Sequence, residues 1–215
     1  MLELITKFLE LCKMYNIKLA PKKATLFANT IGFCGREVSK DGLRVAPKRI
    51  EALTSMGELT TGADVMQLIC GMRWFSDHIP NFAKIADPLQ KWLTSVMKDK
   101  KKKTKRNAKR IILDASNGWN DHLRDTIHKL IKATTSAILL SHCDYIMVKC
   151  AHTDASEEYW CIIITQCARS ELKKPRHLQK HQILAAISGT FTGSQLNWSM
   201  VDKEQFPILK IMDFD

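Results

Sequence analysis

Apolar residues follow two different rhythms along this chain, and the change between them near Ala137 limits the fold more than any single motif. Before it, spacings of three and four dominate. Ile5, Phe8, Leu9, Cys12 and Tyr15 predict one helix. Val65, Leu68, Ile69, Met72 and Phe75 predict another, behind the capping-box-like start Thr61-x-x-Asp64. Pro80 breaks that helix, and a third is expected from Phe82 through Trp92 to about Val96. Leu123, Ile127, Leu130 and Ile131 mark a fourth, with Trp119 one turn before. Within this helical half, residues 24–53 differ. They are rich in β-branched and aromatic residues, carry Gly32 and Gly35, and turn at Asp41–Gly42, which predicts short strands in a hairpin. Pro47 is placed to begin a helix through Met56. After Ala137 come the strand-like runs "AILLSHCDYIMVKCAHTDAS", "YWCIIITQC" and "HQILAAISGTF". Ser199-x-x-Asp202 then opens a last helix. The expected fold class is mixed α+β, helical first and β-rich later, and no internal repeat is visible.

Charge separates the two halves. The chain carries a formal net charge of +11 with a pI near 9.4. Residues Lys98–Arg110, "KDKKKKTKRNAKR", hold seven Lys and two Arg against one Asp, a net +8 that leaves only +3 elsewhere. A run of this kind can neutralise phosphates, giving salt-sensitive, sequence-independent affinity for nucleic acid. Its candidate contacts are Lys98, Lys100, Lys101, Lys102, Lys103, Lys105, Arg106, Lys109 and Arg110. It has no aromatic residue to stack a base, so a solvated linker or a nuclear-localisation-like signal stays open beside phosphate binding. The division expected is 1–97, a basic linker over 98–116, and 117–215.

The apolar share of 45% allows a real core. No run approaches the roughly 18 apolar residues of a membrane span, and the amphipathic start "MLELITKFLELCK" is not a secretory signal. The seven cysteines are scattered, odd in number and without a C-x-x-C. They predict a reducing, intracellular setting, cytoplasm or nucleus, without a disulfide framework. His177 and His181 have i,i+4 spacing, but in "KKPRHLQKH" they read as surface residues. His142, Cys143, Cys150 and His152 suggest zinc on paper, but in apolar strands without a C-x-x-C they read as core packing residues. Trp74, Phe75, Trp92, Trp119 and Trp198 read as core or inter-domain packing.

Two residues suggest chemistry. Asp154 ends a strand-like run in "HTDAS", and Glu204 lies early in the helix of "WSMVDKEQFPI". A strand-end aspartate and a helix glutamate some fifty residues later are half of a metal-dependent nuclease cluster. Read blandly, Asp154 is a polar strand-end residue and Glu204 a solvated carboxylate near a helix N-terminus. If Ser199 is the N-cap, Pro207 falls inside the helix. It removes a hydrogen bond and meets the Lys203 carbonyl, at a cost on the order of 3 kcal/mol beside Glu204.

Taken in order, several blocks resemble a known family. "YNIKLAPKKATLF", "TIGFCGREVSKDGLRVAPKRIEAL", "LICGMRWFSDHIPNFAKIADPLQKWL", the Trp119–Ile131 helix, and "HTDASEEYWCIIITQC" with "SGTFTGSQLNWSMVDKEQFPIL" are similar to the post-palm part of gypsy-type LTR retrotransposon polyproteins. The resemblance implies a reverse-transcriptase hairpin and helical thumb, a connection, and the first sheet and helix of a ribonuclease H-like domain. It implies a parent activity of RNA-directed DNA synthesis with cleavage of the RNA strand of RNA–DNA hybrids. It also implies Mg²⁺ as cofactor, and as partners a template-primer or hybrid, the palm and fingers, and the remaining ribonuclease H segments. Onto the family's four nuclease carboxylates, Asp154 and Glu204 map as the first two. Asp213 and Asp215 fall too late in the helix to be the others. No Asp-Asp pair of the palm type occurs. Two-metal hydrolysis needs ions held ~3.5–4 Å apart, which two carboxylates do not fix. The expectation is therefore a segment limited to nucleic-acid contacts, binding no Mg²⁺ tightly. The alternatives are a non-catalytic basic binding module or a decayed relic.

Overall fold

The computed structural model describes residues 2–98 and 104–212. Helix α1 (Leu2–Met14) is amphipathic as its spacing requires, but only Cys12 is buried, and Leu4, Phe8 and Leu11 face outward. A three-stranded antiparallel meander follows: β1 (Thr30–Phe33), β2 (Arg36–Ser39) and β3 (Gly42–Val45). Its first turn uses Cys34 and Gly35, both at positive φ, which suits the right-handed twist of a two-residue hairpin. Pro47 starts α2 (Pro47–Thr54), its fixed φ being compatible with a first helical turn.

Helix α3 (Gly62–Arg73) begins with the expected capping box. Asp64 Oδ2 accepts from the Thr61 backbone at 2.8 Å, and Thr61 Oγ1 accepts from the Asp64 backbone at 3.4 Å. Burial pushes the Asp64 carboxyl up, but the hydrogen bonds from Thr61 and Thr60 outweigh it and hold it below its usual range. Helix α4 (Phe82–Val96) packs with α3 and α6 (Asp121–Thr135) around Leu68, Met72, Ile79, Leu89, Met97 and Leu130. Trp92 and Trp119 meet edge to face at 4.8 Å, and the Trp92 indole donates to the Asn117 carbonyl.

The second sheet is antiparallel in the order β4 (Val148–Ala155), β5 (Tyr159–Cys167), β6 (Gln182–Thr190). Helix α7 (Met200–Met212) covers one face through Phe206, which packs edge to face on Trp160. Helix α4 approaches the other face, where its Ala83 amide donates to Ser188 Oγ. Tyr159 Oη reaches the buried Asp87 across this junction, and Lys91 Nζ, on the same helix as Asp87, reaches Glu158 across it.

Two expectations need correction. The strand predicted from Ala137 starts only at Val148. Leu140 forms an isolated bridge with Leu43, and the Asp144 carboxylate accepts from the Ile146 amide to make a turn that exposes Tyr145 and Ile146. The basic stretch is not wholly a solvated linker. Thr104 caps a short helix α5 (Lys105–Ala108), and Ala108 and Ile111 are buried against α3, where the Gly62 amide donates to the Ile111 carbonyl. Pro207 lies inside α7, as the sequence places it, and the helix continues through it with the ring fully buried.

Candidate nucleic-acid interface and carboxylate pair

Asp154 occupies the penultimate position of β4, opposite Cys161 on β5, and its side chain is exposed. Side chains alternate along a strand. Trp160 turns toward α7, so Cys161 and Asp154 turn to the other face. There burial, and then the Asp154 charge, push the Cys161 thiol up. Glu204 is exposed on α7. Its helix starts at Ser199, whose hydroxyl accepts from the Asp202 amide. Lys203, next to Glu204 on α7, is buried. Its ammonium donates to the carbonyls of Glu157 and Leu196, both at 2.9 Å. Lys203 thus pins the start of α7 to the β4–β5 turn, three residues after Asp154. Aromatic rings of Phe191, Trp198 and Phe206 close the same corner.

The structure therefore brings the elements bearing Asp154 and Glu204 together. Among the described residues, neither carboxylate takes a hydrogen bond or an ion pair, and neither joins a group of three candidate metal ligands. Mg²⁺ is commonly held by one or two carboxylates and several waters, whereas two-metal hydrolysis needs more carboxylates than these two to fix a pair of ions. Asp213 and Asp215 lie outside the described residues.

Of the basic residues, Lys100, Lys101, Lys102 and Lys103 lie outside the described residues. Lys98, Lys105, Arg106, Lys109 and Arg110 are exposed. Lys105 Nζ donates to Gln67 Oε1 at 2.7 Å. Because Ala108 and Ile111 anchor this segment, its charges sit on a docked ridge. Lys98 also lines a groove of about 660 Å³ with Lys91, Glu158 and Phe191. Hydrogen bonds to Asp87, and next to Glu158, hold the Lys91 ammonium well above its usual range.

Sequence reasoning missed the interface between α4 and the second sheet, because Asp87 and Tyr159 are far apart in the chain. It also missed the convergence of Cys150, Cys167 and His181, whose ligand atoms lie within 4.8 Å of one another. His177, on an exposed 3-10 turn, stays apart from them.

A small meander, a helical layer and a three-stranded antiparallel sheet backed by one helix make up a mixed α and β fold that is also found in reverse-transcriptase structures. Solved structures of the foamy viral protease-reverse transcriptase share it. One superimposes over 89% of this chain and 22% of its own with a TM-score of 0.68 at 15% identity. A second covers 89% and 30% with a TM-score of 0.66, also at 15% identity. By sequence, the chain is similar to viral and retrotransposon polyproteins. It is 25% identical over 209 residues to an enzymatic polyprotein of Carnation etched ring virus, covering 97% of this chain and 28% of the relative. It is 25% identical over 213 residues to an enzymatic polyprotein of Cauliflower mosaic virus (strain NY8153), covering 95% and 27%. The retrovirus-related Pol polyprotein from transposon 412 of Drosophila melanogaster is 22% identical over 205 residues, covering 95% and 14%. The chain thus spans less than a third of the length of these curated relatives. No family model matches. The likeness to retroelement reverse-transcriptase polyproteins, drawn first from the sequence blocks, holds in both comparisons.

Proposed function

We propose that these residues form the thumb, connection and first ribonuclease H-like elements of a retroelement reverse transcriptase, and that they contact the template-primer or RNA–DNA hybrid. The observation that carries the reading is coverage: nearly the whole chain aligns with a polyprotein, and 89% of it superimposes on a solved reverse transcriptase. That foamy viral protein was solved in complex with RNA/DNA hybrid, and a related form in complex with dsDNA. The docked ridge of Lys105, Arg106, Lys109 and Arg110 supplies phosphate-binding charge in this chain. The outward apolar residues of α1 and β1, among them Leu4, Phe8, Leu11 and Phe33, form a surface of the kind a neighbouring domain covers. In the parent enzyme that neighbour is the palm.

Cleavage is not part of the proposed role of this 215-residue polypeptide by itself. Bound Mg²⁺ would supply the activated water and charge neutralisation of phosphodiester hydrolysis, but Asp154 and Glu204 alone do not fit two such ions. A reducing intracellular setting belongs to the same reading. Anisotropy titrations of RNA–DNA hybrid, duplex DNA and single-stranded RNA test it. The full chain is expected to prefer the hybrid at every salt concentration. Equal affinity for all three, governed only by salt, would instead favour a generic basic binder.

A further inference from the structure

Four metal-ligating side chains share the face of the second sheet that α7 leaves uncovered. Cys150 and His152 are two apart on β4 and therefore point the same way. Cys167 ends β5, diagonal to Cys150, since Cys150 pairs with Thr165 and Val148 with Cys167. His181 closes the long connection between β5 and β6. The Cys150 and Cys167 sulfurs stand 3.9 Å apart. The ligand atoms of Cys150, Cys167 and His181 all lie within 4.8 Å of one another. The His152 and His181 rings meet edge to face at 5.3 Å.

We infer that Cys150, Cys167 and His181 form a binding site for a soft divalent cation of the Zn²⁺ type, with His152 as the fourth ligand. This rests on different residues from the nucleic-acid reading and stands independently of it. Two thiolates on one tetrahedral zinc, each at ~2.3 Å, are about 3.8 Å apart, which the observed sulfur separation matches. A disulfide would need ~2.0 Å. Mixed thiolate and imidazole donors select zinc over Mg²⁺. The supporting contacts are also in place. His181 Nε2 lies 2.9 Å from Gln179 Oε1, which fixes the ring and leaves Nδ1 for the ion. His181 Nδ1 and His152 Nε2 now share the Thr165 hydroxyl, at 2.9 and 3.3 Å. Both imidazoles are thus already gathered on one atom of β5, and a turn of the exposed His152 ring brings it to the ion. Binding replaces two S–H bonds with two S–metal bonds and releases two protons to solvent; nothing is oxidised or reduced.

The consequence is mechanical. The ion would staple β4, β5 and the end of the basic connection 168–181, on a three-stranded sheet whose outer edges are short of partners. The test uses the full chain, reduced and stripped of metal, titrated with Co²⁺ and then Zn²⁺. The expected result is one equivalent of Co²⁺ with the intense charge-transfer absorption of two thiolates in a tetrahedral field, displaced by Zn²⁺. Cys150→Ser, Cys167→Ser and His181→Asn should each weaken binding by more than the roughly 10–100-fold that follows loss of a supporting contact. Cys34→Ser and Cys143→Ser should not. In the unsubstituted chain, Zn²⁺ should slow alkylation of Cys150 and Cys167 selectively, a readout that needs no variant to fold. Unslowed alkylation, Co²⁺ absorption that survives Cys150→Ser together with Cys167→Ser, or a Cys150–Cys167 disulfide in freshly purified protein would overturn the site. An unchanged Co²⁺ spectrum in His152→Asn would overturn the fourth ligand.

Discussion

Tyr159 donates its phenolic hydrogen to Asp87 Oδ2 at 2.7 Å, and this bond joins the helical layer to the second sheet. Asp87 is buried on α4, and Lys91, one turn on, reaches the same oxygen at 2.8 Å and Glu158 at 2.6 Å. The two halves that the sequence rhythm separates are thereby fixed to one another by a polar cluster at the turn following Asp154. Burial, and next the Asp87 hydrogen bond, push the Tyr159 phenol up to about 12.

Tyr159→Phe should destabilise the fold by about 1.5–3 kcal/mol in denaturant melts, the net worth of a hydrogen bond to a charged group. Spectrophotometric titration gives an independent readout. One of the three tyrosines should ionise late, and the substitution should remove that phase. The sign follows from linkage. A phenol raised from 10.0 to about 12 contributes stability that is intact below the unfolded value and is lost as pH rises through the folded one. Stability of the unsubstituted chain should therefore fall between about pH 10 and 12, and Tyr159→Phe should flatten that decline.

Gly42 is held at φ 138° with the Leu140 carbonyl directly where a Cβ would project. Leu43 and Leu140 exchange backbone hydrogen bonds at 2.7 and 2.9 Å beside it. Gly42→Ala should cost more than about 1 kcal/mol, since neither the space nor the backbone angle suits a side chain. Hydrogen exchange should report the loss locally, through faster exchange of the Leu43 and Leu140 amides.

Much of this was legible in the chain. The helices follow from three- and four-residue apolar spacing, and the Thr61–Asp64 box and Pro47 start are local features that need no tertiary partner. The missing parts depend on distant groups. The 137–147 run has strand-like composition, yet Leu140 is claimed by β3 and Asp144 by its own turn. Cys150, Cys167 and His181 are brought together by strand register and by the path of residues 168–181, neither of which their spacing encodes. The pair Asp154 and Glu204 was visible as a pattern, but the face each one occupies was set by which side of β5 Phe206 covers.

Acid should unfold the chain partly through its helix caps. The Asp64 carboxyl is held below its ordinary 3.8 in the folded state. Its contribution is present above the unfolded value and is lost as pH falls through the lowered folded one. Asp64→Asn should cost roughly 0.5–1.5 kcal/mol at neutral pH, about the net worth of one hydrogen bond of the capping box. It should also make the stability curve shallower below about pH 4, where the depressed carboxyl would have titrated.

The docked basic segment predicts a different result from a free linker. Ile111 is buried against α3, so Ile111→Ala should destabilise by about 2–4 kcal/mol through lost packing. A linker residue would show almost no change, and thermal unfolding followed by circular dichroism separates the two.

The proposed nucleic-acid surface would recognise hybrid geometry, with the basic ridge adding affinity. Its most direct test is hybrid binding by the variant Lys105→Gln, Arg106→Gln, Lys109→Gln, Arg110→Gln across a salt series. Loss of up to four phosphate contacts should reduce the slope of log affinity against log salt by up to about 3.6, at roughly 0.9 per contact. The account predicts that the preference for RNA–DNA hybrid over single-stranded RNA survives this loss. Disappearance of the preference along with the charge would contradict it.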